Sequence, residues 1–307
     1  MSDSAALFAW HNSLCLFFTY YRKLFLIEKF ATMVTASIVT YNTPSDELNK
    51  CLSLLLCSPV SRVFISDNSP NDGLRGICEQ YDRVEYIFNN ANLGYGAGHN
   101  VAIRIAMKIE SRYHIVLNSD VHFEPEIIGK ITGFMDGNEN VAQLQPRILY
   151  PDGTLQLSQR LLPTPLNLIS RRFLPNSISR ILNSKYTLSF WDHNCTANIP
   201  YHQGSFMFFR MDALNRVGLF DERFFMYPED IDITRRMHKH FKTIYWPNVA
   251  IVHNHRAESY RSTKLLFIHI INMIKYFNKW GWIADKERSL WNKQVLQELG
   301  YKTLRRS

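Results

Sequence analysis

Carboxylates crowd into the segment from Phe220 to Asp232, where Asp221, Glu222, Glu229, Asp230 and Asp232 sit among Phe220, Phe224, Phe225, Met226 and Tyr227. A carboxylate in such surroundings is costly unless its charge is paired or used. The run Glu229-Asp230-Ile231-Asp232 opens an amphipathic stretch through Ile231, Ile233 and Met237. Acids in a first helical turn suit the positive end of the helix dipole. Asp230 is therefore expected to act as a general base on that turn. The competing reading is that Glu229 and Asp230 pair with Arg235 or Arg236 further along the helix.

Four other groups have chemical potential. Asn118-Ser119-Asp120 ends an apolar run, and a strand-end Asp beside a phosphate site can hold Mg²⁺ or Mn²⁺; equally, Asp120 could cap the helix that follows. Asp67 could accept hydrogen bonds from a base or ribose, or close an Asx-turn. Gly94, Gly96 and Gly98 are too closely spaced for a dinucleotide loop and follow a third strand instead of a first, but they permit close backbone approach at a helix start. His253 and His255 alternate in an extended run, so they point opposite ways and only one could join an Asp120 site.

These groups need a scaffold. Val34–Thr40 is β-branched and apolar, as a buried parallel strand should be. Further strands are expected at Arg62–Ser66, Val84–Phe88 and Tyr113–Leu117, with helices between them carrying stripes such as Leu48, Cys51, Leu52 and Leu55. Thr43-Pro44 read as N-cap and first helical residue. This alternation implies a parallel sheet with helices on both faces. Ligands gather at the carboxyl ends of such strands, where Tyr41-Asn42, Asp67-Asn68 and Asn118 to Asp120 lie. Beyond Val141 the expectations are a hairpin around Asp152-Gly153, a weakly periodic excursion over 156–200, a strand His202–Phe209, two short strands Thr243–Trp246 and Val249–His253, and helices over Lys264–Trp280 and Ser289–Leu299.

At 307 residues and 46% hydrophobic, the chain can bury a full core. Five cysteines without a CxxC pair indicate neither a disulfide framework nor a zinc knuckle. The net charge of +8 is concentrated beyond His255, where eleven Lys/Arg face four Asp/Glu. A basic tail suits an anionic surface. No eighteen-residue apolar run exists, so no membrane span is expected. Three parts are expected: 1–32, a mis-annotated start before Met33 or a peripheral anchor; 33–258, the main domain; and 259–307, basic amphipathic helices.

Taken in order, seven stretches resemble the family-2 glycosyltransferases, in their bacterial rhamnosyltransferase-like branch. They are Ser37–Asn42, Ile65–Ser69, Asn92–Asn100, Leu117–Val121, Gly204–Met207, Val217–Asp232 and Pro247–His253. The resemblance implies a GT-A fold, with a Rossmann-like, mostly parallel α/β sheet, and an inverting mechanism. It implies transfer of a sugar, rhamnose from dTDP-rhamnose, from a nucleotide-diphosphate donor to a saccharide acceptor, lipid-linked, in surface polysaccharide or O-antigen synthesis. Thr40, Tyr41, Asn42, Asp67, Asn92 and Asn118 would hold the nucleotide sugar. Asn118 and Asp120 stand where relatives carry Asp-x-Asp, so Asp120, with His253, would bind a divalent cation (Mg²⁺ or Mn²⁺). Asp230 matches the base, and Gly204, Tyr227 and Glu229 the acceptor side. Around His253 to Ser259, where relatives are often glycine-rich, Arg256 could meet a phosphate. The expected location is cytoplasmic, at the inner face of the plasma membrane, with the basic helices against anionic lipid.

Other classes remain open at this level. A UDP-hexose donor would leave the fold unchanged. A nucleotide-sugar oxidoreductase lacks its glycine spacing and a Tyr-xxx-Lys pair. A nucleic-acid binder lacks aromatic and basic residues interleaved as in known recognition modules, so no nucleic-acid partner is expected.

Overall fold

The computed structural model describes residues 33–254 and 263–301. The expectations for 1–32, His255 and Arg256 lie outside them, as does the boundary at 258/259. Strands β1 (Val34–Thr40), β2 (Val60–Asp67), β3 (Val84–Phe88) and β4 (Tyr113–Leu117) form a parallel half-sheet in the order β3-β2-β1-β4. Their β-branched and apolar residues are buried between two layers of helix, as parallel strands require. On one face, helices α1 (Ser45–Leu56) and α4 (Glu126–Asp136) pack Leu48, Leu52, Ile128 and Ile131 against Ile38, Ile65 and Ile115. On the other, α3 (Tyr95–Lys108) packs Ala102, Ile103 and Ala106 against Phe64 and Val116. A short helix, α2 (Arg75–Cys78), links β2 to β3.

The sheet continues differently from expectation. After the two-residue β5 (Val121–His122) and α4 comes β6 (Val141–Leu149), a nine-residue central strand. Its Gln143, Gln145 and Pro146 disguise it. Both glutamines are fully buried and bonded, Gln143 Nε2 to Thr234 Oγ1 at 3.1 Å and Gln145 Nε2 to Phe206 O at 3.0 Å, which is how buried amides are tolerated. The hairpin around Asp152-Gly153 reduces to a turn closed by one bridge, Leu149 to Leu155. The excursion contains β7 (Gln159–Arg160), α5 (Pro165–Phe173), α6 (Asn176–Asn183) and β8 (Ala197–Asn198).

The strand expected over His202–Phe209 is two. β9 (Tyr201–His202) pairs with β7, and β10 (Phe206–Arg210) enters the main sheet antiparallel between β4 and β6. The break leaves Gln203, Gly204 and Ser205 at the sheet's edge, level with the end of β4. After α7 (Met211–Val217) and α8 (Glu229–His238), β11 (Lys242–His253) is one strand instead of two. Its register against β6 shifts between Trp246 and Ala250, where Pro247 can donate no ladder bond. α9 (Thr263–Trp280) and α10 (Lys286–Glu298) then close over α8. Met273, Tyr276, Phe277 and Val295 share a buried cluster with Leu161, Phe224, Ile231 and Tyr245. Nine strands thus make one mixed, mostly parallel sheet flanked by helices.

Candidate functional site

Asp230 is the second residue of α8, and its half-buried carboxylate is held by two backbone N–H groups. Ile231 N donates to Oδ1 at 2.8 Å and Gly204 N to Oδ2 at 3.1 Å. Burial raises the Asp230 carboxyl to about 6, against the lowering pull of those N–H groups and of the Arg160 guanidinium. Glu229 is buried, and its Oε2 has no hydrogen-bond partner. Burial, and then repulsion by Asp230, hold it well above the usual carboxylate range. Burial thus favours the neutral form of both acids, while the two N–H donors and the Arg160 guanidinium favour the charge on Asp230. Neither acid pairs with Arg235 or Arg236, which bond instead to Asp285 and Asp232.

The glycine-rich stretch positions this pair. Gly94 has φ +84°, and a Cβ there would lie 2.0 Å from Phe225 O. Tyr95 N donates to that carbonyl at 2.9 Å, and the Tyr95 hydroxyl donates to Gly204 O. A Cβ on Gly96 would meet Phe220 Cβ at 2.9 Å, and one on Gly98 would meet Val39 at 2.8 Å. The close approach these glycines allow is thus to the protein's own acidic loop and first strand. Asn92 is exposed and accepts from Gly94 N at 3.1 Å, closing the turn before α3. Phe220 and Phe224 are core side chains, so only Phe225, Met226 and Tyr227 remain partly exposed; the aromatic run as a whole does not wall a site. The Tyr227 ring lies 5.0 Å from His269 of α9.

A second pair sits at the ends of β4 and β11. Asp120 precedes β5, not a helix, so the capping reading fails. Its Oδ1 is buried without a hydrogen-bond donor among the described residues and lies 3.4 Å from His253 Nε2. Asn118 Nδ2 is also 3.4 Å from that nitrogen. Gln156 fixes the imidazole: its Oε1 is 2.8 Å from His253 Nδ1, and its Nε2 donates to His253 O at 3.5 Å. A proton on Nδ1 leaves the Nε2 lone pair facing Asp120, the arrangement that metal-ligating histidines take. An orphaned carboxylate oxygen beside an imidazole nitrogen fits a divalent cation such as Mn²⁺. Among the described residues no third His, Cys, Asp or Glu completes the set, so a diphosphate and water would supply the remaining positions.

The two pairs are coupled. Asn118 N donates to Ser205 O at 3.1 Å, one residue from the Gly204 N–H that holds Asp230. A cavity of about 320 Å³ is lined by Gln156, which braces His253, by Gln203, next to Gly204, and by Arg160 and Thr187. A second cleft, of about 260 Å³, opens at the tips of β1 and β2 between Asn42, Asp67 and Leu74. There Asp67 accepts from Ser69 N at 2.9 Å and from Tyr86 Oη at 2.6 Å, and Asn42 N donates to Ser69 Oγ at 2.9 Å. The Thr40 hydroxyl is buried without a partner, and Tyr41 is 54% exposed.

Family-level comparison matches residues 35–218 to glycosyl transferase family 2. The chain belongs to that family. Over 241 residues it is 29% identical to an N-acetylglucosaminyl-diphospho-decaprenol L-rhamnosyltransferase of Mycobacterium tuberculosis, covering 72% of this chain and 75% of the relative. It is 26% identical to the rhamnosyltransferase WbbL of Escherichia coli over 185 residues, 57% of this chain and 66% of the relative. These relatives place it in the rhamnosyltransferase-like branch. The GalNAc-T7 structure with UDP, GalNAc and Mn²⁺ superposes with a TM-score of 0.59 at 14% identity, over 89% of this chain and 52% of that one. The fold is GT-A.

Tyr95, Gln156, Arg160 and Gln203 escaped the sequence reading. Tyr95 was hidden inside the glycine pattern. A signal for Gln156 and Arg160 existed: Leu155, Leu157 and Leu161 alternate with Gln156, Ser158 and Arg160, interrupted only by Gln159, close to the period of an extended segment with one polar side.

Proposed function

We propose that this glycosyltransferase is inverting, with Asp230 as the base, and moves rhamnose from dTDP-rhamnose to a lipid-linked saccharide in surface polysaccharide synthesis. The observation that carries the reading is the half-buried Asp230 carboxylate, held by the N–H groups of Ile231 and Gly204 next to a Glu229 that burial keeps well above the usual carboxylate range, in a loop tied to the Asp120 and His253 end of the sheet by the Asn118 N–H to Ser205 O bond. The names of the relatives support rhamnose as the sugar and a lipid diphosphate on the acceptor.

In this mechanism Asp67, with Thr40, Tyr41 and Asn42, receives the nucleoside in the cleft at the β1 and β2 tips, and Asn118 and Asn92 border the sugar diphosphate. Asp120 and His253 would hold the divalent cation, which when bound offsets charge on the leaving diphosphate. Gly204 N–H aims Asp230 Oδ2, and the acceptor hydroxyl lies between Asp230 and Tyr227. Asp230 takes the hydroxyl proton as oxygen attacks the anomeric carbon opposite the diphosphate. Base catalysis of this kind gives about 10²–10⁴-fold.

The membrane face of the reading shifts from charge to apolar surface. In α9, Lys275 donates to Arg223 O and Lys279 pairs with Asp221 and Asp232, so both serve the fold. What α9 exposes is Phe267, Ile270, Ile271 and Ile274, a one-sided stripe suited to lying in a lipid interface. Among the described residues no helix is long and apolar enough to cross a membrane.

Thermal-shift measurements with dTDP-rhamnose and UDP-hexoses, with and without Mn²⁺, test the donor assignment. A ligand at 100 times its Kd stabilises by about 2.7 kcal/mol. Stabilisation by UDP-hexoses and not by dTDP-rhamnose would contradict it. Flotation with liposomes, comparing Phe267→Ser/Ile271→Ser with the parent chain, tests the interface: equal recovery removes it.

A further inference from the structure

Among the described residues Arg160 is the only charged side chain on the wall of the 320 Å³ cavity. It belongs to β7, paired opposite Tyr201 of β9, two residues before Gln203. Its Nε donates to Leu157 O at 3.3 Å, and its guanidinium lies 5.7 Å over the Tyr201 ring. It is thereby anchored on its inner side. Unlike Arg235 and Arg236, it forms no ion pair with a carboxylate among the described residues. The neutral groups around it, Gln156, Thr187 and Gln203, can all donate hydrogen bonds.

A partly buried guanidinium that bonds Tyr186, feels the Asp230 charge only beyond ion-pair distance and lines a cavity of neutral donors is a site for an anion. Two neighbours narrow its class. Gln156 also braces His253, and Gln203 adjoins the Gly204 that holds Asp230. Arg160 thus shares its cavity with a residue that braces the pair suited to a divalent metal and with one that adjoins the holder of Asp230. An arginine fork matches two oxygens of one phosphate better than it matches a lone charge.

We propose that Arg160 binds a phosphate of a diphosphate group in this cavity. The diphosphate comes from the sugar-nucleotide donor or from a lipid-diphosphate acceptor; this choice rests on the glycosyltransferase reading, whereas the anion site itself does not.

Calorimetric titration of the full chain with inorganic pyrophosphate, dTDP and thymidine separates the sources when the parent chain, Arg160→Gln and Arg160→Lys are compared. Acceptor KM is measured for a diphospholipid-linked saccharide and for the same saccharide as an alkyl glycoside. Arg160→Gln is expected to weaken pyrophosphate binding by about 10- to 100-fold, the value of a charge-assisted fork. Arg160→Lys should recover part of that loss, and thymidine binding should not change. A parallel loss for dTDP assigns the donor diphosphate. Unchanged dTDP affinity, with a KM raised only for the diphospholipid acceptor, assigns the acceptor. A parent chain that binds pyrophosphate through Arg160 yet binds no nucleotide keeps the anion site and sinks the sugar-nucleotide reading. Pyrophosphate and dTDP affinities and both KM values within twofold of the parent, in a variant of unchanged Tm, would overturn the proposal. If Arg160→Gln fails to fold, the same comparison is made with Arg160→Lys.

Discussion

The two ends of α8 handle charge in opposite ways. From Asp232 onward its acidic and arginine side chains are matched. Arg235 makes a bidentate pair with Asp285 at 2.7 Å and lies 4.0 Å over Trp280. Asp232, fully buried, accepts from Arg236 Nε at 2.9 Å, Trp280 Nε1 at 2.8 Å and Lys279 Nζ at 2.6 Å. In the first turn, Glu229 and Asp230 have backbone donors but no cation within ion-pair distance among the described residues, and burial lifts both carboxyls. One helix of ten residues thus anchors the C-terminal helices with its satisfied charges and keeps its unsatisfied ones for chemistry. Sites that bind or react are commonly less stable than their surroundings for this reason.

The contrast can be broken at either end. Removing Arg235 leaves Asp285 buried without its partner. Arg235→Ala should lose about 3–5 kcal/mol in urea unfolding, and a loss under about 1 kcal/mol would show that the second turn is not the anchor. Asp230→Asn should cut transfer by about 10²–10⁴-fold while the dTDP-induced Tm shift survives. The same variant should gain thermal stability at alkaline pH. The folded state raises the Asp230 carboxyl above its unfolded value, so the stability it contributes is present at low pH and lost as pH rises through about 6. Asn does not undergo that loss, so equal Tm values for both proteins at pH 8 would argue against a raised carboxyl.

Smaller effects sharpen the picture. Gln156→Leu removes the acceptor that sets the His253 tautomer and should weaken Mn²⁺ binding about 10- to 100-fold, read by electron paramagnetic resonance. Unchanged affinity would detach His253 from the metal. Glu229→Gln replaces an acid that burial pushes toward its neutral form by a neutral amide of the same shape. Turnover should stay within roughly tenfold of the parent, whereas a loss as deep as that of Asp230→Asn would move the base to Glu229.

The half-sheet β3-β2-β1-β4 was legible because its strands are apolar runs bounded by turn residues, and the enclosure of Glu229 and Asp230 because the residues before them are aromatic. Other parts were hidden by their own chemistry. β6 carries glutamines that only tertiary partners can satisfy, so its burial leaves no hydropathy trace. The break between β9 and β10 was masked because Tyr201-His202 and Phe206 to Phe209 both read as strand and only Gln203-Gly204-Ser205 separates them. The neighbours of Asp120 and Asp230, Gln156 and Arg160, are brought in by a short ribbon, β7–β9, formed by residues about forty apart in sequence; local patterns carry no record of such pairing. The pairing of Asp232 and Arg235 with α9 and α10 was invisible for the same reason.

The central claim is that Asp230, ionised beside a neutral Glu229, removes the acceptor proton. The pH dependence of kcat/KM tests it most directly. The claim predicts an acid limb with a midpoint near 6, falling about tenfold per pH unit below it, and no such limb in the residual activity of Asp230→Asn. A parent profile flat from pH 5 to 8, or the same limb in both proteins, would contradict it.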